Sequence, residues 1–108
     1  GKRMSQAVKH GNTVYLAGQV ANDPNGTIEQ QTREVLAAID KLLAEAGTSK
    51  SKVLSCQVIL NNIGDFAAMN SVYDAWIDPA NPPARACIEA RLAAPALKVE
   101  IIAIAALD

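Results

Sequence analysis

Apolar and polar positions along the chain change period several times, and each change marks an element. Gln6 to Lys9 and Thr13 to Val20 read as two strands joined across His10-Gly11-Asn12. Gly followed by Asn suits a two-residue hairpin turn with positive φ at its first position. Asn22-Asp23-Pro24-Asn25-Gly26 is a second and stronger turn signal. From Ile28 to Ala46 the period becomes helical: Val35, Leu36, Ile39, Leu42, Leu43 and Ala46 form one apolar stripe, and Gly47 stops the helix. Val53 to Leu60 is aliphatic and β-branched, hence a strand. Asp65 suits the N-cap of a second helix, in which Phe66, Met69, Tyr73 and Trp76 share a face until Pro79, Pro82 and Pro83 end it. Two strands close the chain, Ala84 to Leu92 and Lys98 to Ala105, around Ala93-Ala94-Pro95-Ala96.

The predicted order is β-β-α-β-α-β-β, an α+β sandwich with both helices on one face of the sheet. The last strand tells what the other face does. Val99, Ile101, Ala103 and Ala105 fall on one side, Glu100, Ile102 and Ile104 on the other, so both sides are largely apolar. Two helices cover only one of them. The second face is therefore expected to pack against another copy of the chain. With an antiparallel pairing of the last two strands across Ala93–Ala96, Glu100 would lie opposite a middle residue of the strand that Arg85 opens.

The chain has 108 residues, half of them hydrophobic. That length suits one domain, residues 1–108, able to bury a core without disulfide staples. Ten Lys+Arg stand against eleven Asp+Glu, a net charge of −1. A nucleic-acid binder would show a basic excess, because phosphate neutralisation supplies most of its affinity. One His and two Cys, with no CxxC, leave a closed zinc site short of ligands. Cys56 and Cys87 are expected as reduced thiols in a cytoplasmic protein. No apolar run approaches a membrane span, and no leader pattern stands out. Asn25-Gly26-Thr27 matches a glycosylation sequon but reads as turn composition.

No G-x-S-x-G, P-loop or G-x-G-x-x-G occurs. A Ser-His-Asp triad would need His10, which sits at a hairpin turn and reads as a solvated residue. Met4 and Met69 read as packing residues, Tyr73 and Trp76 as core. Two charges interrupt strand patterns. Arg85 opens its strand with Cys87, Glu89 and Arg91 as face-mates, and Glu100 shares a strand face with Ile102 and Ile104. A carboxylate on an apolar strand face is costly unless paired or hydrogen-bonded. The pair is either a structural or interface salt bridge, or a small anion site. In the second reading a guanidinium grips a carboxylate through its planar fork while a glutamate holds water.

Several segments resemble the RidA/YjgF family: Ser5-Gln6-Ala7-Val8, Gly11-Asn12-Thr13-Val14-Tyr15-Leu16-Ala17-Gly18-Gln19-Val20, Gln31-Thr32-Arg33 and Glu45-Ala46-Gly47. Asp65-Phe66-Ala67-Ala68-Met69-Asn70-Ser71-Val72-Tyr73, Pro83-Ala84-Arg85-Ala86-Cys87 and Val99-Glu100-Ile101 complete the set. The resemblance implies a chorismate-mutase-like fold with a mixed sheet, assembled as a homotrimer around a central barrel with clefts between subunits. It also implies hydrolysis of reactive 2-imino and enamine acids, such as 2-aminoacrylate, to 2-keto acids and ammonia, with no cofactor and no metal. Carried over by position, Arg85 matches the arginine that binds the substrate carboxylate, and Glu100 the glutamate that orients or activates water. Cys87 matches a cysteine whose backbone lines the site, and Gly18 and Asn70 match positions near the cleft. The expected partners are a small carboxylate or imino-acid metabolite and further copies of the chain, not nucleic acid or membrane.

The chain departs from the family's imine deaminases where they commonly carry Tyr before Ser-Gln, here Met4, and where Ser often precedes Gly-Gln, here Ala17. Both changes remove a hydroxyl. They leave room for a second expectation, a non-catalytic module that binds small carboxylates in the same cleft. Against RNA cleavage stand the acidic balance, the single His and the lack of an aromatic-basic surface pattern.

Overall fold

The structure, a computed structural model, describes residues 1–108. β1 (Ala7–His10) and β2 (Thr13–Leu16) form the first hairpin, with His10 opposite Thr13 and Gly11 at φ 59°. Only glycine adopts that conformation without strain, so the turn is set by Gly11. β3 (Gln19–Val20) follows, then α1 (Ile28–Ala46), β4 (Val53–Leu60), α2 (Phe66–Trp76), β5 (Ala84–Glu89) and β6 (Val99–Ala106).

Helix α1 begins with a reciprocal capping box. The Thr27 hydroxyl accepts from the Gln30 N–H at 3.2 Å, and the Gln30 side-chain oxygen accepts from the Thr27 N–H at 2.8 Å. Gly47, at φ 90°, ends it in the left-handed conformation expected of that glycine. The stripe of Val35, Leu36, Ile39 and Leu43 is buried against the sheet. Helix α2 starts where Asp65 places it, but without a side-chain cap from that residue. A 3-10 turn over Ile63–Asp65 leads into it instead, and Asn62 accepts the Gly64 N–H at 2.8 Å.

One mixed sheet runs in the order β1-β2-β6-β4-β5, with β3 continuing the line of β2 along β6. Two expectations are corrected here. First, Thr13–Val20 is not one strand: Tyr15 pairs with Ile104 while Gln19 pairs with Ile101, so four residues on one side answer three on the other. The extra residue falls at Leu16–Gly18 and kinks the strand as a bulge does. Second, β5 and β6 are not neighbours. β4 lies between them, parallel to β5 and antiparallel to β6. The cause is α2: a strand followed by a covering helix returns parallel, which sends β5 to the outer side of β4. β5 is thereby an edge strand, and the central place beside β4 and β2 is left for β6.

Both helices cover one face, as the order implied. Val99, Ile101, Ala103 and Ala105 of β6 are fully buried beneath them, together with Cys56, Val58 and Leu60 of β4. The opposite face carries Ile102 and Ile104, half-buried, and the exposed Val8, Tyr15 and Ile88. No helix is long and apolar enough to cross a membrane.

Candidate functional site

The predicted site residues fall into two clusters. Arg85 pairs in register with Cys56, and Cys56 with Ala103, so all three lie on the helix-covered face. Glu100 pairs with Ile59 and Val20 on the open face. A sheet one residue thick separates them. Arg85 and Glu100 of one chain therefore cannot close on the same small molecule.

The first cluster is built by β5 and α2. Phe66, Asn70 and Tyr73 recur at i, i+4 and i+7, which turns all three towards β5. The Arg85 guanidinium donates to Asn70 Oδ1 at 2.7 Å and lies over the Tyr73 ring at 4.7 Å and the Phe66 ring at 5.8 Å. Ring faces attract a cation and an amide oxygen orients it, but neither neutralises it. The guanidinium is thus aimed and still able to take a carboxylate at the exposed edge. Tyr73 is at once core, as its helical position predicts, and the floor beneath Arg85. Helical spacing placed Phe66 and Tyr73 on one apolar face without giving either a part in the Arg85 cluster; their common spacing with Asn70 was the available signal.

Burial governs the neighbouring titratable groups. It pushes the Cys56 thiol up, with the Tyr73 hydroxyl and Arg85 pulling the other way. It also raises the Tyr73 hydroxyl to about 12, assisted by the proximity of Cys56. Cys87 is half-buried on the same face of β5, and desolvation raises its thiol despite the nearby Arg85 charge. A thiol so protonated is a poor nucleophile.

Backbone builds the second cluster. The bulge brings Gly18 under Glu100, and a Cβ at Gly18 would lie 2.9 Å from Glu100 Cδ and collide with the carboxylate. Only glycine leaves that space. The motif residues on either side hold the segment: Ala17 N–H donates to the Gln6 carbonyl at 2.8 Å, and Gln19 Nε2 donates to Gln6 Oε1 at 2.9 Å. Met4, just before this lock, is exposed. Glu89 and Arg91, the two charged residues nearest β5's end, do not join either cluster; Glu89 accepts the Ile63 N–H at 2.8 Å and ties β5 to the turn before α2. His10 is exposed at its turn, and Trp76 is half-buried with its indole N–H donating to Asp40 at 3.0 Å.

No group of three His, Cys, Asp or Glu side chains is placed to hold a metal ion. Neither Arg85 nor Glu100 lines any surface hollow of the single chain; the largest, about 410 Å³, lies between Gln6, Gln19 and α1 residues Lys41 and Glu45.

An oriented guanidinium on an edge strand and a carboxylate over glycine on a central strand are the two polar clusters of a small α+β domain. Comparison with known proteins gives the class a name. The family profile described as Endoribonuclease L-PSP matches residues 2–107, and the chain belongs to that family, known also as YjgF or RutC. A RutC family protein of Haemophilus influenzae is 49% identical over 107 residues, covering 95% of this chain and 90% of its own. A YjgF-family crystal structure from Neisseria meningitidis superposes with a TM-score of 0.97 at 44% identity, covering 100% of this chain and 90% of that one. An uncharacterized protein from Pseudomonas aeruginosa gives the same TM-score of 0.97 and identity of 44%, covering 100% and 94%.

Proposed function

We propose that the protein hydrolyses reactive 2-imino and enamine acids to 2-keto acids and ammonia, at sites shared between copies of the chain in a cytoplasmic homotrimer. The observation that carries this reading is Arg85: exposed, held by a neutral amide and two ring faces, and therefore a prepared receptor for a carboxylate. Topology supports a second copy. Glu100 belongs to the opposite, largely apolar face, and Arg85 lies on the edge strand β5, so a copy packed on that face with its β5 edge alongside would bring its Arg85 towards this Glu100.

The chemistry asks little of the protein. An enamine becomes an iminium by taking a proton from solvent at its β-carbon, and the iminium carbon is already electrophilic. Arg85 fixes the carboxylate, and Glu100 orients a water towards that carbon and takes its proton as the C–O bond forms. That proton passes on to nitrogen, the C–N bond breaks to release ammonia, and Glu100 takes the hydroxyl proton as the C=O bond is completed. Cys87 contributes backbone, in keeping with its raised thiol. A net charge of −1 and one histidine at a turn favour a small anionic substrate over RNA.

A non-catalytic carboxylate-binding module is the second reading. Met4 and Ala17, where relatives of the deaminase type often carry hydroxyls, favour it. Generating 2-aminoacrylate in situ and following keto-acid formation separates the two. Faster release with wild type than with Arg85→Ala supports the deaminase. A ligand-induced rise in melting temperature with no ammonia released supports the binding module.

A further inference from the structure

Of the family-like segment Gln31-Thr32-Arg33, Thr32 bonds only within α1, to the Ile28 carbonyl at 2.7 Å, and Arg33 is exposed. Gln31 is different. It is 1% exposed, and its side chain ties a loop just before its own helix to a segment far along the chain. Its Nε2 donates to the Gly26 carbonyl at 3.2 Å and the Ala96 carbonyl at 3.1 Å, and its Oε1 accepts the Lys98 N–H at 2.9 Å. The amide's two hydrogens and its oxygen are all committed.

Those partners frame Glu100. Lys98 stands two residues before it at the entry to β6, and Gly26 closes the loop that follows Val20, the residue paired with Glu100. The same loop is tied to α1 a turn later, where the Glu34 carboxylate accepts the Asn22 N–H. We infer that Gln31 is a positioning residue: its buried amide clamps the two segments that cross at the Val20–Glu100 pair and so fixes where the Glu100 carboxylate stands over Gly18. Losing it leaves the part-buried Lys98 N–H and two carbonyls, that of Gly26 buried, without these partners, and loosens the tie between the segments.

The inference rests on the role proposed for Glu100, and the test keeps the two apart. Gln31→Met preserves length and apolar volume but breaks every bond. It is expected to speed amide exchange about tenfold at Lys98, Glu100 and Val20 while leaving the β1–β2 hairpin protected. The Glu100 side-chain carboxyl ¹³C resonance is expected to move, and kcat for imino-acid hydrolysis to fall about tenfold with KM, set by Arg85, within about twofold. If Gln31→Met does not fold, Gln31→Glu, which keeps the acceptor for Lys98 and loses the donors, is read the same way. Exchange quickened evenly over the whole sheet, or an unmoved Glu100 resonance, overturns the inference. If wild type turns over no imino acid, the deaminase reading falls, and exchange with the Glu100 resonance decides the clamp alone.

Discussion

Arg85 stands on an edge strand and is held by side chains, whereas Glu100 lies on the central strand over bare backbone. Asn70, Tyr73 and Phe66 aim the guanidinium from a single helix face. The carboxylate rests on the bare backbone of Gly18, in a segment locked by Gln6 and Gln19. An edge strand offers a cation to a ligand without paying for its burial. A central strand offers a fixed position, because β3 and β4 flank β6 at that point. On the proposed function, binding belongs to the first region and precise placement of water to the second. Substitutions should divide between KM and kcat accordingly.

Arg85→Ala is expected to have the largest effect. Removing the charge-assisted anchor should lower kcat/KM for imino-acid hydrolysis about a thousandfold. Melting temperature should stay near wild type, because Arg85 is exposed. Gly18→Ala comes next. Its methyl collides with the end of a flexible side chain, so the fold should survive while Glu100 swings aside and kcat falls about tenfold to a hundredfold. A rise in KM with kcat intact would mean that Glu100 serves binding and would erase the distinction between the regions. Asn70→Ala should act on the first region alone, raising KM about fivefold to tenfold for the loss of one hydrogen bond to a charged group.

The smallest effect concerns Tyr73 and alkaline stability. Its folded hydroxyl ionises near 12 rather than at 10, so the unfolded chain releases this proton first. The folded state therefore loses stability as pH rises from 10 towards 12 and keeps it in full below. Tyr73→Phe should flatten that decline in melting temperature, and an unchanged slope would show that the hydroxyl is not held by burial.

The helices and their faces were legible because Val35, Leu36, Ile39 and Leu43 repeat at helical spacing and Gly47 can end only one of them. The two-sided apolar character of β6 was equally plain. Strand neighbours were not. Adjacency in sequence favoured pairing β5 with β6, and only the crossover through α2 shows why β4 separates them. The bulge at Gly18 was hidden because a glycine in a strand pattern signals an interruption without saying what fills it; here Glu100 does. Arg85 and Glu100 stood out as charges in strand patterns. That they occupy opposite faces depended on register, which alternation in single strands does not supply.

Subunit complementation tests the central claim, that a working site takes Arg85 from one copy and Glu100 from another. Arg85→Ala and Glu100→Gln chains would be unfolded together, refolded as a mixture and assayed for imino-acid hydrolysis beside each variant alone. Separately both should be nearly inactive. Random assortment should restore about a quarter of wild-type activity, because each mixed interface that joins an intact Arg85 to an intact Glu100 makes one good site. A mixture no more active than its components, with mixed oligomers verified by mass spectrometry, would contradict a site shared between chains.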